Sequence, residues 1–123
     1  MNIKEKVYRA LSMSRELTSL LARDRRCRCI YSGISPNAGS YPIIVYNIIS
    51  DVPALTADGI EIERRVTVRL QILTKDGHYE HIYDVVNKIM KGLGFMRCQS
   101  LEMSERDVFV FCVDYVIGIG VDE

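Results

Sequence analysis

Few side chains in this sequence have the type and spacing to do chemistry, and each group has a plain structural alternative. Cys27 and Cys29 stand two apart, which on a strand places both thiols on one face. A zinc site needs such a pair repeated, or joined by histidines at fixed spacing, and the sequence has no second pair. Cys98 and Cys112 lie in apolar segments, where a free cysteine behaves as a small hydrophobe. The expectation is four reduced, structural thiols and no metal. His78, His81 and Asp84 form an i, i+3, i+6 set at the start of a helical stretch. Successive steps of three drift around a helix and no HExxH frame is present, so water-facing histidines are expected.

Asp114 sits inside the apolar stretch VFVFCVDYVIGI. Desolvation there would raise its pKa and make it a candidate acid or base. Strand alternation instead assigns Phe109, Phe111, Val113, Tyr115 and Ile117 to the core face and leaves Asp114 on the other, solvated or ion-paired. The sequence contains no GxSxG, and Gly118 and Gly120 match neither a P-loop nor a GxGxxG fingerprint. No catalytic residue and no cofactor are therefore assigned. The remaining group, Arg23, Arg25, Arg26 and Arg28, crowds the end of the first helical stretch. These arginines suit a helix C-terminus, acidic groups on a neighbouring copy such as Glu61, Glu63, Asp122 or Glu123, or nucleic acid.

The elements that would position these groups follow from hydrophobic period. Ile3, Val7, Ala10, Leu11, Leu17, Leu20 and Leu21 recur at helical spacing over residues 2–22, with Ser12 and Ser14 marking a place to bend or split. Residues 33–42, rich in Gly, Pro, Asn and Ser, predict a loop after a short strand around Cys29, Ile30 and Tyr31. Residues 43–49 (IIVYNII) read as a strand covered on both faces. Residues 51–59, with Pro53 and Asp58-Gly59, predict a long flexible loop that leaves the sheet and returns.

From 60 to 74 the residues alternate, Ile60, Ile62, Val66, Val68, Leu70 and Ile72 on the core face and Glu61, Glu63, Arg65, Thr67, Arg69 and Gln71 in water, with Arg64 breaking the inward pattern and marking a change of environment. That run is about twice the usual strand length, so part of it is expected to stand beyond the sheet as an arm. Ile82, Val85, Val86, Ile89, Met90 and Leu93 predict a second helix over 78–92, ended by Gly92 or Gly94. Residues 95–103 and 108–119 read as a closing hairpin, with 119–123 as a tail. Strands that do not alternate with helices favour an α+β fold, a mixed or antiparallel sheet with two helices packed on one side.

Composition sets the frame. The 123 residues carry 16 basic and 16 acidic side chains, 48% apolar and 26% charged, which fits one ordinary globular domain. Zero net charge disfavours a dedicated nucleic-acid binder, which needs a concentrated basic face. No apolar run approaches the roughly 20 residues of a membrane span, so no membrane partner is expected and the protein is placed in the cytoplasm.

The ordered set of segments resembles a known family more than any single motif does. The loop closing in Ser40-Tyr41-Pro42-Ile43-Ile44-Val45, Asp58-Gly59, the strand Arg65-Val66-Thr67-Val68-Arg69-Leu70-Gln71-Ile72-Leu73, the helix with Ile82, Val86, Ile89 and Leu93, and the final hairpin look like the tail-completion, tail-terminator and head-tail joining proteins of long-tailed bacteriophages and defective prophages. The resemblance implies an α+β subunit without catalysis or cofactor. It implies a homo-oligomeric ring, commonly of six copies, that meets tail-tube or head-completion proteins. Such a protein would be made in the host cytoplasm and reside in the virion at the tail end or head-tail junction. Arg23, Arg25, Arg26, Arg28, Glu61, Glu63 and Arg65, with the 51–59 segment, are the expected contact surface. The alternatives are a small nucleic-acid or regulatory binding module, using the arginines with Tyr31, Tyr41 and Tyr46, and a small enzyme using Asp114 with a histidine.

Overall fold

The computed structural model describes residues 2–24, 27–33 and 40–120. Arg25, Arg26, Asp122, Glu123 and most of the first loop lie outside them. The chain builds α1 (Ile3–Ser12), α2 (Arg15–Thr18), β1 (Ile30–Ser32), β2 (Ile43–Ala57), β3 (Ile60–Thr74), α3 (Glu80–Gly92), β4 (Met96–Glu105) and β5 (Val108–Gly120). The five strands form one mixed sheet in the order β1-β2-β3-β5-β4, in which only the β1–β2 pair is parallel. This is the expected α+β class. The count of helices differs, because the first helical stretch divides where its serines stand. Met13 closes α1, and Ser14 starts α2 by accepting a hydrogen bond from the Leu17 amide.

The helices share one face of the sheet. Val7, Leu11 and Leu17 from α1 and α2, and Ile82, Val85, Val86 and Met90 from α3, form one buried cluster with Ile44, Tyr46, Val66, Val68, Leu70, Ile72, Phe111, Val113 and Tyr115. Gly94, with φ of 97°, supplies the left-handed stop after α3, and the Phe95 amide returns to the Met90 carbonyl. A smaller cluster on the opposite face gathers Tyr31, Ile43, Val45, Leu73, Val110 and Cys112. At this end of the sheet both faces are therefore buried. Phe109 departs from the expected core face: it lies beside the β4–β5 turn and is 49% exposed.

The largest correction concerns residues 51–59. They are strand and turn, not loop: β2 continues to Ala57 and pairs with β3 as far as Ala57 opposite Ile60. Asp58 and Gly59 alone make the connection, both with positive φ (51° and 77°), as a two-residue hairpin requires. Pro53 fits within the strand because β1 pairs only with Ile44, Val45 and Tyr46, which leaves the rest of β2 at the sheet's edge. At the other terminus Ile119 and Gly120 belong to β5 rather than to a tail.

Candidate functional site: an exposed hairpin arm

Beyond Arg64 the β2–β3 hairpin leaves the helical layer behind. The apolar alternation of β3 continues outward, but Ile60 and Ile62 are exposed at 66% and 45%, and their expected place in the core is not realised. On β2, Val52 and Leu55 are 46% and 51% exposed, and Ile49 is exposed as well. A two-stranded ribbon cannot bury both of its faces by itself, so large apolar side chains on such an arm mark a contact surface.

Register decides how the arm presents its groups. Val52 stands opposite Arg65 and Leu55 opposite Glu63, so these four side chains share the face turned away from the helices, in line with Thr67 and Arg69. Ile62 is an extra residue between the Leu55–Glu63 and Thr56–Glu61 pairs, so strict alternation from Ile60 to Arg65 is interrupted there. The Glu63 carboxylate lies across Gly118, where an added Cβ would come within 2.5 Å of its Oε1. Glycine at 118 lets the acidic group lie flat on the sheet. Arg64 donates to Asp51 at 3.2 Å, an exposed ion pair that stabilises the base of the arm by no more than about 1 kcal/mol.

The described arginines of the cluster, Arg23 and Arg28, are placed elsewhere. Arg23 donates to the Cys27 carbonyl at 3.0 Å, and Arg28 pairs with Asp24 at 3.2 Å and lies over the Tyr31 ring. Both are occupied within their own turn. They precede β1, which lies beside the base of β2, whereas Glu61 stands opposite Thr56. With a rise of about 3.3 Å per residue, the span from Ile44 to Thr56 approaches 40 Å. Among the described residues, the predicted contact residues thus occupy two ends of the molecule and do not converge within one chain.

Asp114 is buried at 3% exposure and ion-paired, as its place in the alternation suggested. Arg69 donates to it through Nε at 2.8 Å and a terminal nitrogen at 3.1 Å, and Gln99 donates at 2.8 Å. The Arg69 guanidinium holds its carboxyl below the usual aspartate range. A carboxylate tied to three donors is a structural anion. His78 and His81 are both exposed, as is Asp84, and no group of metal-ligating side chains forms among the described residues. Cys29 and Cys112 are buried while Cys27 and Cys98 are exposed, so the Cys27–Cys29 pair is split between environments. Burial pushes the Cys29 thiol up, away from thiolate chemistry. Val52 and Leu55 fall within the 51–59 segment expected at the contact surface, but sequence reasoning did not single them out, because Pro53 between them signalled a loop and not a strand.

No helix among the described residues is long and apolar enough to cross a membrane. No protein-family model matches the chain, and no curated protein sequence matches it. A solved chain from the virion of a native gene transfer agent (GTA) particle superposes with a TM-score of 0.61 at 9% identity, covering 93% of this chain and 91% of that chain. At that identity the likeness is one of fold: nearly the whole length of both chains follows the same path.

Proposed function

We propose that this chain is a structural subunit of a phage-like particle, joining or closing the tail as one copy of a homo-oligomeric ring and carrying out no catalysis. The observation that carries this reading is the end-to-end fold likeness to a chain of a gene transfer agent virion. The local chemistry agrees with it. Asp114, the carboxylate with the strongest claim to acid-base work, is consumed in a structural ion pair. The arm exposes apolar side chains that a solitary protein would cover. A ring requires one surface of each copy to meet a different surface of the next, and a neutral chain with separated acidic and basic regions supplies that.

The test is made on particles. The protein is expected in purified particles, by mass spectrometry, at a small fixed copy number. Deleting its gene is expected to leave separate heads and tails, or tails of irregular end structure, under the electron microscope. Particles that assemble normally and never contain the protein would overturn the reading.

A further inference from the structure

The arm is acidic as well as apolar. Its outer part, residues 54–63, includes Asp58, Glu61 and Glu63 and neither Lys nor Arg, while at its base Asp51 pairs with Arg64 and Arg65 stands opposite Val52. Since the whole chain has zero net charge, the balancing bases lie elsewhere on the same sequence. The outer stripe of α1 is a described surface that pairs free bases with an exposed apolar side chain. Lys6, Arg9 and Met13, the last being the residue that closes the helix, are spaced by three and four, so they fall within about 60° of arc, on the side away from buried Val7 and Leu11. All three are exposed, Met13 at 74%, and neither Lys6 nor Arg9 has an ion-pair partner among the described residues.

The arm cannot reach this stripe on its own molecule. Tyr8 of α1 sits 6.3 Å, ring to ring, from Tyr46 at the base of β2. Thr56 is ten strand residues further out, about 30 Å away at the usual rise. Pairing of the arm's free edge with another strand is also discouraged, by Pro53 and by three register shifts between Ile48 and Thr56. Contact through side chains remains.

We propose that the arm of one copy lies on the outer stripe of α1 of a second copy, Val52 and Leu55 against Met13, with Glu63, on the same face of the arm, facing Lys6 and Arg9. Donor and acceptor surfaces differ, so a pair of copies keeps one of each free and the contact repeats head to tail, closing when the rotation per copy divides a full turn. The inference rests on the ring reading and narrows it to a surface.

The test uses sedimentation velocity of the full-length chain from micromolar to millimolar concentration. The wild type is expected to self-associate. Leu55→Ser with Ile60→Ser, and separately Glu63→Lys, are expected to weaken association roughly tenfold or more without changing the melting temperature of the monomer. Adding Lys6→Glu and Arg9→Glu to the glutamate reversal is expected to restore association. Association that survives the arm substitutions overturns the inference and leaves the ring reading standing. Association weakened by them but not restored by the charge swap overturns α1 as the acceptor. A wild type that stays monomeric at millimolar concentration overturns a second copy as the occupant. The presence of the protein in particles is decided separately.

Discussion

Arg69 and Asp114 face each other across β3 and β5 as a two-pronged ion pair, 2.8 and 3.1 Å, on the sheet face opposite the helices. Asp114 is 3% exposed, whereas the Arg69 side chain retains 32% exposure. The pair joins the central strands where the buried base of the sheet gives way to its open part. Removing one partner strands a charge, while replacing both by apolar groups does not. Asp114→Ala is therefore expected to destabilise the monomer by about 2 to 4 kcal/mol. Arg69→Met combined with Asp114→Leu is expected to cost less than Asp114→Ala alone. Urea unfolding of the three proteins checks the order, and equal losses would show that the pair contributes no more than the packing of its side chains.

The same carboxylate sets a pH dependence. Its folded pKa is lowered by Arg69 and by Gln99, against the raising effect of burial. A depressed carboxyl stabilises the fold above its unfolded pKa, about 3.9 for aspartate, and that contribution is lost as pH falls through the lower folded value. The urea midpoint is expected to drop more steeply below about pH 4 in the wild type than in Asp114→Asn. Parallel curves would remove Asp114 as the source.

Thiol reactivity should divide the cysteines in two. Cys27 and Cys98 are exposed, Cys29 and Cys112 buried, and burial raises the Cys29 pKa. A thiol reagent added to the native protein is expected to modify two cysteines quickly and the other two only on unfolding. Rapid modification of all four would contradict the buried positions.

Stability and assembly should separate along β3. Leu70 is fully buried, and Leu70→Ala is expected to cost about 2 to 5 kcal/mol. Ile60 lies ten residues away on the same strand, and Ile60→Ser is expected to change monomer stability by less than about 0.5 kcal/mol. Thermal melts of both variants at low concentration make the comparison. A large loss from Ile60→Ser would mean that the arm folds back onto its own chain.

Tyr79 offers a spectroscopic check on the other side of the molecule. Its hydroxyl donates to Glu102 and its ring stacks on Phe111 at 4.0 Å, so α3 is tied to β4 and β5. The hydrogen bond to Glu102 pushes the Tyr79 pKa up to about 12. In an ultraviolet titration, Glu102→Gln is expected to let one additional tyrosine ionise near the usual value of about 10.

Periods of two and 3.6 in the residue order determined the class of fold, the stripe of α3, the base of the sheet and the face on which Asp114 lies, while its burial and its pairing with Arg69 came from the tertiary structure. Those features repeat locally, and a buried face leaves a pattern that can be counted. The split of the first helix was legible in Ser12 and Ser14, since their hydroxyls compete for the backbone bonds that would continue it. Residues 51–57 were not legible as strand. Proline marks a break unless the edge it occupies is unpaired, and only the short reach of β1 makes β2 an edge there. The length of the 60–74 run and Arg64 within it pointed to an arm, but alternation does not say where a core ends: Ile60 and Val66 are the same kind of signal, yet one lies in the open and the other beneath the helices. Burial depends on what a third element covers. The helices stop short of the arm, and that placement alone turned an inward-looking pattern into an exposed surface.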